Sequence, residues 1–193
     1  MRTLRSALLA SAMAVGFAAA AEAAPITGVI NFGGSTTFDA TQFSVVTAFV
    51  GFPPPTGSFL GLFTPGPSGA TTSWSAPITY SPTVPPGLIW TVTEGSNTAT
   101  FTAASGSGTL VTVGAITFLN VSMTGTLTLT GFDPTPAVLT FSSQSSNGIP
   151  PAGVSFSATV EALPVPIPES ATLALLGAGL LGLAFAARRR SAA

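Results

Sequence analysis

Few side chains in this 193-residue sequence can do chemistry, and their scarcity is the first constraint. Between Pro25 and Leu163 the ionisable candidates are four carboxylates, Asp39, Glu94, Asp133 and Glu161, and one phenol, Tyr80. The chain contains no His and no Cys, and its basic residues are Arg2, Arg5, Arg188, Arg189 and Arg190. A hydroxyl nucleophile therefore lacks its usual bases, and thiolate chemistry and disulfides are excluded. Two carboxylates are the minimum for glycoside hydrolysis, and they must face one cleft about 5–9.5 Å apart. Each acid here sits beside turn residues or at a strand end, and none lies in a recognisable motif. No Asp/Asn/Gly loop supports a calcium site, and no metal or cofactor is expected. Trp74 and Trp90 are candidates for stacking on sugar rings, weighed against an ordinary core role. Nucleic acid binding needs a cationic footprint, which residues 25–163 lack.

A second set of residues is organised to be acted upon. Residues 163–170 read Leu-Pro-Val-Pro-Ile-Pro-Glu-Ser, an alternating-proline strip. Each ring fixes φ and removes a donor, so the strip favours extended polyproline II. Residues 171–187 carry no charge, and as a helix they span about 25 Å, close to the thickness of a bilayer core. Within them Ala174, Ala178, Gly182 and Ala186 recur every fourth residue and form one smooth helix face. Arg188, Arg189 and Arg190 follow, and their desolvation cost holds them on the cytoplasmic side as a stop-transfer signal.

This order of parts resembles the C-terminal sorting signal of PEP-CTERM proteins of Gram-negative bacteria. There a Pro-Glu-Pro motif precedes an apolar helix and a basic end. Val165, Pro166, Pro168 and Glu169 match the motif and its lead-in, and Ala171-Thr172-Leu173-Ala174-Leu175-Leu176-Gly177 matches the usual helix start. Ser170 departs from the family, which has its second proline there. The resemblance implies recognition by exosortase, a membrane protease-like enzyme, and a link to exopolysaccharide-producing envelopes and biofilms.

The N-terminus has the form of a secretory signal peptide. Arg2 and Arg5 precede an Ala-rich apolar stretch, and Ala21-Glu22-Ala23 supplies small residues for signal peptidase, with cleavage expected before Ala24. The expected organisation is therefore a signal peptide over 1–23 and a β-rich secreted domain over 24–162. A proline linker with the sorting motif (163–170), a transmembrane helix (171–187) and a basic tail (188–193) follow.

The elements that must position any site in the body are strands. Ser and Thr make up about a quarter of the chain and carry its solubility. In Val121-Ser122-Met123-Thr124-Gly125-Thr126-Leu127-Thr128-Leu129-Thr130 they alternate with apolar residues, the period-two pattern of a half-buried strand. Residues 154–160 and 98–103 repeat it. Shorter candidates cover 26–32, 43–50, 74–80, 88–93, 108–113 and 137–142. Turns are expected at Gly33-Gly34, 94–97, 105–108, Asp133-Pro134 and Asn147-Gly148. The proline-crowded residues 51–87 read as long loops around one or two edge strands. Short strands punctuated by turns, with no amphipathic helix between them, predict an all-β, antiparallel sandwich or barrel-like body, flanked by the signal helix and the transmembrane helix.

The whole predicts an exported surface or extracellular-matrix structural protein, not an enzyme. It would be held in the inner membrane before processing and found at the cell surface or outside the cell after it. Its partners would be exosortase, signal peptidase and possible exopolysaccharide, with no nucleic acid. A carbohydrate-binding or adhesive module is the alternative, and a cryptic hydrolase the third reading. Circular dichroism of a 25–163 fragment should show sheet with almost no helix; a helix-rich or coil spectrum would overturn the all-β assignment.

Overall fold

A computed structural model describes residues 23–146 and 153–163, together with helical positions 177, 179, 180 and 182. The chain divides between residues 163 and 164 into two compact units. Among the described residues no helix is long and apolar enough to cross a membrane. Most of the expected signal and transmembrane segments, and the turn expected at Asn147-Gly148, lie outside the described residues.

The first unit is all-β. Its strands are β1 (Val29–Phe38), β2 (Gln42–Val50), β3 (Thr71–Trp74), β4 (Ile78–Thr79), β5 (Gly87–Glu94), β6 (Asn97–Val113), β7 (Ile116–Leu129), β8 (Thr135–Ser145) and β9 (Val154–Ala162). All nine join one antiparallel sheet in the order β3-β5-β6-β7-β8-β9-β1-β2-β4. Of the two architectures the sequence leaves open, a pair of separate sheets is not what forms. The single sheet curls into a half-barrel.

The curl shows in contacts between strands far apart in that order. Trp74, on edge strand β3, meets Phe32 of β1, Phe141 of β8 and Phe156 of β9 at ring-centroid distances of 5.4, 6.4 and 5.8 Å. Phe43 of β2 stacks on Phe141 at 4.3 Å. The two margins are also tied directly. The Thr72 hydroxyl of β3 donates to the Ala48 carbonyl of β2 at 2.6 Å. Beyond β4, Tyr80 donates its amide to Thr41 and accepts from the Gly108 amide, linking β2 to β6. Three bulges help bend the sheet, between Ser35 and Thr36, Leu88 and Trp90, and Ala103 and Ser105.

Alternation decides which face is buried. Leu119, Val121, Met123, Leu127 and Leu129 of β7 point into the core, as do Ala137, Leu139 and Phe141 of β8 and Phe156, Ala158 and Val160 of β9. Each fully buried large apolar side chain contributes about 1.5–3 kcal/mol. With no basic residue between Pro25 and Leu163, ion pairs contribute nothing among the described residues of this unit.

Two expected turns prove to be strand. Gly33-Gly34 lies inside β1, paired on both sides, with β2 and β9. Residues 105–108 continue β6 past a bulge at Ala104, so the two short candidates 98–103 and 108–113 are one strand. The reason at Gly108 is steric. A Cβ there would lie 2.5 Å from the Tyr80 ring, so glycine is what lets the tyrosine lie against the strand. Candidate 74–80 splits the other way, into β3 and β4, with Pro77 between. Residues 51–87 form loops, a 3-10 turn at Gly57–Phe59 and the two short edge strands, as their prolines predict. Gly57 in these loops packs back to back with Gly28, just before β1; both are at positive φ, and a Cβ on either would strike the other's backbone below 3 Å.

The parity of β8 gives a test. Phe141 is 2 % exposed and touches three other rings, whereas neighbouring Thr140 faces outward. Phe141→Ala is expected to lose about 3–5 kcal/mol of stability in urea unfolding. Thr140→Ala should stay within about 0.5 kcal/mol. Equal losses at the two positions would overturn the register of β8.

Candidate functional site

The four acids are distributed by the hairpins. In the antiparallel sheet Glu94 ends β5, Asp133 lies after β7 and Glu161 closes β9, all toward one end of the barrel, while Asp39 lies in the β1–β2 turn at the other. Asp39 is a turn-former. Its Oδ1 accepts from the Thr41 amide at 2.7 Å, the Thr41 hydroxyl at 2.9 Å and the Gln42 amide at 2.9 Å. Backbone donation, first from Thr41 and then from Gln42, holds its carboxyl below the usual range. Tyr80 donates its phenol to the Asp39 carbonyl, and burial, then the Asp39 charge, pushes its pKa up. Glu94 accepts from the hydroxyl and amide of Thr64, which fastens the loop before β3 to the end of β5. Those bonds, the hydroxyl first, lower its pKa. At Asp133 the neighbouring backbone is tied down: its amide donates to Ala24, and Thr135 donates to its carbonyl while accepting from the Ile26 amide. Among the described residues no three acids group together.

The tryptophans are core residues. Trp90 is wholly buried, packed on Phe32 at 4.9 Å and on Phe101 at 6.4 Å, and Trp74 fills the barrel interior beside it. Neither indole nitrogen has a hydrogen-bond partner in the protein. An unpaired buried donor costs about 1–3 kcal/mol, offset by the area each ring removes from water. Stacking Trp90 on a sugar would require opening the core. The signal that places it inside is the bulge at Ile89, which lets Ile89 and Trp90 both be buried in succession.

Two concave features lie elsewhere, on the convex outer face of β6–β9. Two adjoining depressions of about 400 and 390 Å³ share Asn120, Ser142 and Ser157. The first is also lined by Ser107, Thr109, Ser122, Thr140 and Thr159, the second by Phe118, Gln144 and Ser155. No charged side chain lines either, so neither holds a carboxylate pair. Register builds this surface. Ser107, Ser122, Thr140, Thr159 and Asn31 stand opposite one another across five strands, and Thr109, Asn120, Ser142 and Ser157 form the adjoining row. Thr159 donates to Asn31 Oδ1 at 3.0 Å, which helps order one margin. Sequence reading finds the hydroxyl face of β7 by its alternation but not the joining of four strands into one surface, since register between distant segments leaves no local trace.

The sorting-motif residues Val165, Pro166, Pro168, Glu169 and Ser170, the arginines 188–190 and Ala21 lie outside the described residues. Ala23 and Ala24 are described, and the Ala24 carbonyl accepts from Asp133 at 3.1 Å. No protein-family model, curated protein or solved structure matches this chain.

The two lowered carboxyl pKa values carry a sign. A carboxylate held by hydrogen bonds in the folded state adds stability that is fully present above its unfolded pKa, about 4, and is lost as pH falls through the lowered folded value. Residues 25–163 have no side chain with an ordinary pKa between about 5 and 9.5. The thermal midpoint is therefore expected to be flat from about pH 5.5 to 9 and to fall below about pH 4. Replacing both Asp39 and Glu94 by Ala should flatten part of the acid limb; an unchanged limb would mean that neither bond set contributes.

Proposed function

We propose that this is an exported surface or extracellular-matrix structural protein, delivered by a cleavable signal peptide and sorted by exosortase through its C-terminal signal. The observation that carries the reading is that the described residues beside both expected processing points are tied into the same end of the sheet. Ala24, the first residue after the expected signal-peptidase cut, already accepts a backbone hydrogen bond, and Pro25 bridges to Asp133. Leu163, the first residue of the proline linker, donates to the Pro136 carbonyl at 2.8 Å. Pro136 and Asp133 flank the start of β8, so both ends of the fold leave from the same end of the barrel. Every described strand lies between the two expected cuts. A body tethered at one end presents its sides and far end outward, which suits a structural or adhesive surface component.

The motif chemistry supports the same reading. A protease working beside the bilayer needs an extended, accessible backbone, and Pro164, Pro166 and Pro168 cannot be drawn into a helix. Glu169 is the charge nearest the outer end of the apolar run, and by the family resemblance it is what exosortase recognises. Glu169→Gln keeps size and removes the charge. In a host bearing exosortase that variant should accumulate uncut in the inner membrane, while Ser170→Pro should process at least as well as wild type. Normal release of Glu169→Gln on immunoblots of membrane and medium fractions, or equal release in a host lacking exosortase, would overturn the sorting role.

A further inference from the structure

We propose that the convex face of β7–β9 binds a neutral polysaccharide, with Phe118 as the platform for a sugar ring and Asn120, Ser142, Gln144 and Ser157 as the polar floor. This goes beyond the sorting reading, relying on the exported location and not on removal of the tail.

The argument begins with an inversion of the ordinary pattern. At the start of β7, Thr117 is 1 % exposed and Phe118 is only partly buried, so the hydroxyl faces in and the ring lies on the outer face. Parity forces this arrangement. Leu119, Val121 and Met123 must all point to the core, which leaves Phe118 on the same face as Asn120 and Ser122. The inward Thr117 is accommodated because it shares a hydrogen bond with Thr112 at 3.0 Å, and inward Ser143 donates to the Ser155 carbonyl at 2.8 Å. The outer face thus gains an aromatic ring set among hydroxyls and amides, lining a depression of about 390 Å³. Farther out on the same hairpin, Val111, Val113 and Ile116 are 49, 63 and 42 % exposed and extend the apolar edge beside Phe118.

Sugars offer apolar C–H faces and rims of hydroxyls that both donate and accept. The part of the Phe118 ring open to solvent takes the first, and the Asn, Gln and Ser groups pair with the second. Charge narrows the class. No cation lies in the trough, and the nearest acid in register, Glu161, stands one outward position beyond Thr159 on β9. An anionic glycan would meet no counter-charge and the field of an acidic body, so a neutral one is what the surface fits. Shape argues for a polymer: the depressions are open and contiguous over β6–β9, about 14 Å at the usual strand spacing, so a chain can lie across them without presenting an end.

The test is affinity electrophoresis of the full chain in detergent through gels containing a neutral α-glucan, a neutral β-glucan, a galactomannan, or the anionic alginate. At least one neutral polymer should retard the wild type, and alginate should not. Phe118→Ser, and separately Ser142→Arg, which fills the floor while leaving the ring, should each weaken that retardation about tenfold, about 1.4 kcal/mol. Val46→Ser, on exposed β2, should bind as wild type. Circular dichroism of each variant separates loss of binding from loss of fold, and the second variant serves if the first unfolds. Retardation by none of the neutral polymers, equal retardation by alginate, or unchanged binding of both variants would overturn the proposal. So would self-association that Phe118→Ser abolishes in light scattering, which would make this face an interface between copies. Export and tail removal of Phe118→Ser should match wild type, so failure here leaves the sorting reading standing.

Discussion

The ladder that pairs β6 with β7, and β7 in turn with β8, sets the side on which every residue of the long strands must lie. A strand's side chains alternate strictly, so a single apolar row on one face commits the other face completely. Leu119, Val121, Met123, Leu127 and Leu129 supply that row in β7. Once they are buried, the hydroxyls, Asn120 and Phe118 have only the outer face available. Moving the register by one residue would bury the threonines and expose the core, a penalty of about 1.5–3 kcal/mol for each large apolar side chain.

Curvature is the second constraint, and it comes from small residues. The bulges at Ile89 and Ala104 let the strands turn without losing their ladders. Gly108 lets Tyr80 lie against β6, and Tyr80 in turn reaches the Asp39 turn through its phenol. The aromatic cluster of Phe32, Phe43, Trp74, Phe141 and Phe156 can form only when the sheet has curled far enough for β3 to face β1, β8 and β9. A body without basic residues has no ion pairs to rely on, and hydrogen bonds from Thr41 and Thr64 hold two of its carboxylates at turns and loops.

These features separate attachment from display. Ala24 and Leu163 are both hydrogen-bonded beside the start of β8, to Asp133 and Pro136. The hydroxyl-rich rows run along the flank of the sheet, and the β6–β7 hairpin extends to the opposite end. An uncharged surface along the side is what the proposed polysaccharide contact requires.

Much of this protein was legible in its residue order, because the signals involved are local. The alternation in residues 121–130 and 154–160 predicts strands that the fold contains, and the prolines of 51–87 mark the loops and edge strands that lie there. The proposal of an exported, sorted protein rests on contiguous residues at the two ends of the chain. Tertiary structure alone decided the rest. Gly33-Gly34 and Ser105–Gly108 have the composition of turns, yet continuous pairing on their flanks keeps them in strands. Trp90 has the chemistry of a sugar-stacking residue, yet a bulge and the curl of the sheet enclose it. Phe118 carries no local mark of its face, and the parity of its neighbours sets it on the outer one. Pairing between segments distant in sequence sets face, curvature and neighbourhood, and that pairing exists only once the sheet has formed.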